Sequence, residues 1–192
     1  MPVRSLRILF TLLAAASCAI AQAQYDPAAT IAAQVEAMKV FASMDGVWRG
    51  PAWTLLPNGE KRHITQTERI GPFLGGSVKV IEGRGYNPDG SVGFNAFGIV
   101  SFNTQSRTYT IRSYALGHAG DFAFRPTPAG YDWEVPAGPG AVIKYSATIK
   151  DGTLREVGDR VAGDRPPVRI FEMELKRVGD TSWPSGDAVP MR

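Results

Sequence analysis

From Gly46 onward, apolar and polar residues alternate with a period of two. Ile143, Tyr145, Ala147 and Ile149 are interleaved with Lys144, Ser146, Thr148 and Lys150, and Phe171, Met173 and Leu175 with Glu172, Glu174 and Lys176. That period belongs to strands with one apolar face. Before Gly46 the period is helical: Ile31, Val35, Met38 and Ala42 recur at three- and four-residue intervals, with Phe41 beside them. Asp26-Pro27 is a good helix start, an acceptor at the N-cap followed by a residue whose missing N–H costs nothing there. One helix is predicted over 27–43.

Turn-forming clusters divide the rest of the chain at short intervals, nine in all, which separates ten strands. Asn58-Gly59 and Asp151-Gly152 suit two-residue hairpin turns, where both central residues need positive φ. Connections this short join antiparallel neighbours, because a parallel crossover needs a dozen residues or more. The fold class is therefore all-β: an up-and-down antiparallel barrel of about ten strands with one N-terminal α-helix. Closing the meander on itself buries its apolar face and removes its edges. In Val78 to Arg84 and Thr108 to Tyr114 both faces are mixed, which predicts a partly polar interior.

The first residues read as a targeting segment. Arg4 and Arg7 precede an apolar run from Ile8 to Ile20, and Ala21-Gln22-Ala23 offers a cleavage pattern. Residues 1–23 are expected to be a signal peptide, 24–45 the helical segment, 46–180 the barrel and 181–192 a flexible tail. The alternative processing site, Ala15-Ala16-Ser17-Cys18, would attach a lipid at Cys18. The apolar run is shorter than the roughly 17–25 residues that span a bilayer, so no membrane span is expected. The expected location is periplasmic or secreted. Losing the leader removes two arginines and no acid, so Lys+Arg falls from 21 to 19 against 18 Asp+Glu. Without a clustered basic face, nucleic-acid binding is not expected.

Gly46-Val47-Trp48, directly after the helix, resembles the G-x-W signature of lipocalins and other calycin barrels. Phe73-Leu74-Gly75-Gly76 before a strand resembles a pattern in a bacterial family of lipocalin-like domains of unknown function, related in shape to nitrobindin. True lipocalins have eight strands and disulfides, so ten strands and no mature cysteine fit the nitrobindin-like or fatty-acid-binding-like branch better. The resemblance implies a small lipophilic ligand held inside a barrel. It also implies structural closure by Trp48 and Arg177, the basic residue of the last strand lying over the indole. Nitrobindin-like barrels hold haem through a late-strand histidine. This chain has only His63 and His118, so haem is not expected unless Tyr145 replaces that ligand.

No cysteine remains for a zinc site after cleavage, and the two histidines sit in different hairpins. No G-x-S-x-G elbow or S-x-x-K pair supports acyl transfer, and the glycine-rich pieces lie between strands rather than before helices. The candidate ligand-binding residues are Arg112 and Tyr114 as polar anchors for an acid, Glu82 as their partner, and Phe97, Tyr145, Phe171 and Met173, with Trp48, as apolar wall. The alternative is a cofactor-free isomerase or cyclase using an interior carboxylate or tyrosine, Glu82 or Tyr114, as acid or base. A cavity holding a perturbed carboxylate would favour that enzyme; a smooth apolar cavity with one arginine would favour a binder.

Overall fold

The structure, a computed structural model, describes residues 26–183. The expected signal peptide, the Cys18 lipidation site and the end of the tail lie outside the described residues. The chain forms α1 (Pro27–Met38), a 3₁₀ segment Lys39–Met44, and ten strands: β1 (Gly46–Leu55), β2 (Lys61–Phe73), β3 (Val78–Tyr86), β4 (Val92–Asn103), β5 (Thr108–Ala115), β6 (His118–Thr127), β7 (Gly130–Pro136), β8 (Ala141–Lys150), β9 (Thr153–Ala162) and β10 (Val168–Gly179). Every strand pairs antiparallel with its sequence neighbour, and β1 pairs with β10 to close the barrel. The expected fold class is the observed one.

Asp26 caps α1 as its position foretold, its Oδ1 accepting from the N–H groups of Ala28 and Ala29 at 2.9 and 3.2 Å. The helix then tightens into the 3₁₀ segment instead of running to residue 43 in α form. The change turns Phe41 and Met44 into the barrel end, where both are about 1% exposed. Phe41 meets the rings of Tyr109 and Phe124, each at 5.1 Å. The Tyr109 hydroxyl donates to the Ala37 carbonyl at 2.8 Å, and Trp48 Nε1 to that of Met44 at 2.9 Å. These bonds satisfy groups that burial would otherwise orphan. The helical segment is thus a plug.

Asp151 and Gly152 both have positive φ, as a two-residue hairpin requires. The other hairpin differs: Asn58 has no positive φ, Leu56 N–H reaches across to Glu60 O, and Asn58 Oδ1 accepts from Glu60 N–H. The loop is Pro57-Asn58-Gly59, with only Gly59 left-handed.

Trp48 and Arg177 are register partners across the closing seam, and Trp48 is buried. The expected cation–π contact is replaced by another arrangement. Arg177 Nε donates to the Asp45 carbonyl at 3.2 Å and Nη2 to Asp180 Oδ1 at 2.5 Å. Gly46 explains the choice, since a β-carbon there would lie 2.8 Å from Arg177 Nε. The arginine lies over the glycine and not the indole.

Residues 181–183, expected in the tail, lie against β2. Thr181 donates to the Ile70 carbonyl, and Trp183 packs edge-on to Phe73 with the Arg69 guanidinium 4.1 Å from its ring.

Candidate functional site

The plugged half of the barrel is filled by side chains; the other half encloses a cavity of about 340 Å³. Its walls are mostly apolar and aromatic, including Trp53, Ile81, Phe94, Tyr145, Phe171 and Met173. Exposed Leu116 and Arg62 lie at the end away from the plug and mark its mouth.

Interior glycines make the space. A β-carbon on Gly83 would lie 2.8 and 3.0 Å from the two Glu68 carboxyl oxygens, and one on Gly85 3.1 Å from Gln66 Oε1. On β9, a β-carbon at Gly158 would lie 2.8 Å from the Tyr145 ring. Glycine in a strand marks close approach by a neighbour; here the neighbours are cavity-lining side chains, Glu68 at Gly83, Tyr145 at Gly158, and Ile64, Phe94 and Gln66 at Gly85.

Deep in the cavity is a polar floor from three strands. Gln66 and Glu68 rise from β2, Tyr131 and Trp133 from β7, and Glu156 from β9, all lining the space. Gln66 is 2% exposed, Glu68 8% and Glu156 7%. Gln66 Nε2 donates to Glu68 Oε1 at 2.7 Å. Trp133 Nε1 donates to Glu156 Oε1 at 2.8 Å, and the Tyr131 hydroxyl reaches Glu156 Oε2 at a long 3.5 Å. Gln66 Oε1 is buried with no partner.

Burial of the charged form is the main reason both carboxyls titrate high. Glu68 is pushed up from 4.5 to about 8, partly countered by the Gln66 hydrogen bond and reinforced by the charge of Glu156. Glu156 is pushed up to about 7, countered by its bonds from Trp133 and Tyr131. Tyr131 is driven well above its ordinary value by burial and then by the two carboxylates. Tyr145 moves up to about 12 for the same reasons, burial first and Glu156 second. Near neutral pH the floor therefore shares protons between two coupled carboxyls.

The expected polar anchors lie elsewhere. Arg112 is on the outer face, paired with Asp121 at 2.6 Å and bonded to the Tyr114 hydroxyl at 2.9 Å. Tyr114 is 42% exposed. Glu82 is also outside, held by Arg69 at 2.6 Å and Arg84 at 2.8 Å. The physical reason is ordinary: β5 presents Ile111 and Ser113 to the cavity, so Arg112 and Tyr114 share the opposite face. Tyr145, Phe171 and Met173 do line the cavity, and Phe97 contributes to its lining while 40% exposed. Trp48 is not a wall residue; it belongs to the packed half.

The floor residues were missed, although their phase is readable. Gln66 and Glu68 share parity with Ile64 and Ile70, and Glu156 with Leu154; these apolar neighbours mark the inward face. His63 and His118 are exposed and line no part of the cavity. The lining has no histidine or cysteine, so these residues do not fit an axial imidazole or thiolate for haem. Among the described residues, no cluster of three or more His, Cys, Asp or Glu could hold a metal ion. No helix among them is long and apolar enough to cross a membrane.

No family model matches this sequence, and no curated protein matches it. Among solved structures, Rv2717c from M. tuberculosis is similar, with a TM-score of 0.56 and 12% identity over 74% of this chain and 97% of that one. At that identity the likeness is one of fold alone.

Proposed function

We propose that the barrel binds a small molecule with a largely apolar body, its polar end directed at the Gln66–Glu68–Tyr131–Glu156 floor. The observation that carries this reading is an aromatic-walled cavity, of ordinary ligand-site size, that ends in a few convergent polar groups. The nitrobindin-like resemblance and an exported setting are compatible with it. An anionic ligand is not favoured, since Arg62 at the mouth is the only basic residue of the lining.

The test uses the neutral fluorophore N-phenyl-1-naphthylamine, followed by its own emission and by quenching of tryptophan. One saturable site is expected, lost when Ala96→Trp fills the cavity without lowering the unfolding midpoint. Absence of saturable binding, or binding unchanged in the filled variant, overturns the reading.

The raised carboxyls support a second reading, cofactor-free acid–base catalysis, in which Glu68 and Glu156 exchange a proton with a bound substrate. It predicts that Glu68→Gln and Glu156→Gln keep ligand binding but abolish turnover.

A further inference from the structure

The outer and inner carboxylates of this barrel are treated differently. On the outside, Glu82, Asp121, Asp159 and Glu172 each have an arginine at 2.5–2.8 Å. Glu68 and Glu156 have none: no lysine or arginine lines the cavity except Arg62 at the mouth. A buried charge is stable only with a partner, or else it is neutralised by a proton.

The hydrogen-bond inventory of the floor is equally one-sided. Its recorded donors all point at the two carboxyls, one N–H of Gln66 Nε2 at Glu68 and Trp133 Nε1 and the Tyr131 hydroxyl at Glu156. Its acceptors are in surplus: Gln66 Oε1 has no partner at all, and a carboxylate has room for about four hydrogen bonds. A residue 2% exposed that aims an unpartnered acceptor into a cavity asks for a ligand that brings donors. The walls suit one that is also positive. Trp133 stacks on Tyr145 at 4.5 Å, and Phe171 meets Tyr145 at 6.0 Å. Aromatic faces attract cations and pack apolar bodies equally well.

Resting on the reading of the barrel as a small-molecule binder, we propose that its ligand class is a primary or secondary amine on a compact apolar body, bound as the ammonium ion between Glu68, Glu156 and Gln66 Oε1. The ammonium supplies two or three donors and the missing counter-charge. When it enters, the carboxyl pair gives up a proton to solvent, so the charge entering the site is balanced by the charge leaving it.

The groups that govern this exchange are few. Facing Glu68 are Glu156 of β9 and Tyr131 of β7, with Trp48 of β1 and Gly83 of β3 as uncharged neighbours. Glu82 of β3 acts on it from the outer face. Facing Glu156 are Tyr131, Tyr145 of β8 and Trp133. Amine affinity therefore rises between pH 6 and pH 8, while the amine itself stays protonated to about pH 10.

Three probes that share one ring system test the idea by isothermal titration calorimetry: tryptamine, neutral 3-ethylindole and indole-3-propionate. Tryptamine is expected to bind at least about tenfold tighter than 3-ethylindole, and the acid weakest. Titrations in phosphate and Tris at pH 7 should differ in heat by release of up to about one proton per tryptamine. Glu68→Gln and Glu156→Gln should each weaken tryptamine about tenfold or more while leaving 3-ethylindole within about twofold. If 3-ethylindole or indole-3-propionate binds as tightly as tryptamine, or no proton is released, the amine assignment fails and the binding reading stands. If none of the three binds and N-phenyl-1-naphthylamine does not either, both fail.

Discussion

The two halves of this barrel interior are made by the same ten strands yet are built to opposite rules. The plugged half is full: Phe41, Met44, Trp48, Leu154 and Leu175 are each 1% exposed or less. The open half replaces large side chains with glycine at positions 83, 85 and 158, and sets two unpaired carboxyls in the space gained. Interiors pack at crystal-like density where stability is the only demand. A region that spends its inward positions on glycine and buried acid is giving up stability, and the cavity is what it gains.

The difference is broken most severely from the packed side. Trp48 is about 1% exposed and bonded through its indole N–H to the helical plug. Trp48→Ala should cost about 3–5 kcal/mol of unfolding free energy, read by denaturant titration.

From the open side the sharpest handle is pH. A carboxyl raised from 4.5 to about 8 binds protons more tightly folded than unfolded, so its contribution is complete at low pH. That stability drains away as pH rises from about 4.5 through about 7 for Glu156 and about 8 for Glu68. The parent protein should therefore lose on the order of a few kcal/mol between pH 5 and pH 9 from these two groups. Glu68→Gln with Glu156→Gln should flatten the profile and exceed the parent in stability at pH 9. A parent whose stability is level or climbs across that range would show the pair to be solvated or paired.

A smaller effect is expected where glycine makes the room. The β-carbon of Gly158→Ala would sit 2.8 Å from the Tyr145 ring, so the ring must leave its stack on Trp133. Overpacking of this kind costs about 1–3 kcal/mol. Ligand affinity should fall as well, because the displaced ring moves into the cavity. An alanine of the packed half, Ala147, gives the control: Ala147→Gly should lower stability and leave affinity unchanged.

How much of this could be read in advance depended on whether a strand's two faces differ in chemistry. In β8 and β10 the faces are cleanly apolar and polar, and Tyr145, Phe171 and Met173 were placed correctly on the inside. In β5, Thr110, Arg112 and Tyr114 share one face and Ile111, Ser113 and Ala115 the other; the polar set looked like an interior anchor, and Arg112 and Tyr114 are in fact exposed and Thr110 half-buried. The barrel order followed from turn chemistry alone, since short hairpins leave no other topology. The floor was hidden for a different reason. Gln66, Glu68 and Glu156 are residues that usually face water, and only their parity with Ile64, Ile70 and Leu154 marks them as inward. Arg177 was located by register, but its contact was decided by Gly46, whose lack of a side chain leaves room for the guanidinium.

The weakest expected effect draws the line between the two faces most finely. Arg112 lies on the outer surface with its ion partner Asp121 55% exposed and its own side chain 49% exposed. The Tyr114 hydroxyl beside it and the Asp121 charge keep the guanidinium firmly protonated. Exposed pairs of this kind contribute little, because water screens them and two long side chains must be held in one geometry. Arg112→Met keeps the stem that covers the sheet and removes only the charge. Its unfolding midpoint and its affinity for N-phenyl-1-naphthylamine should both match the parent within the error of measurement. A loss of affinity without a loss of stability would mean that the outer face of β5 communicates with the cavity through Ile111 and Ser113, and that the division of labour between the two faces is not as clean as their burial implies.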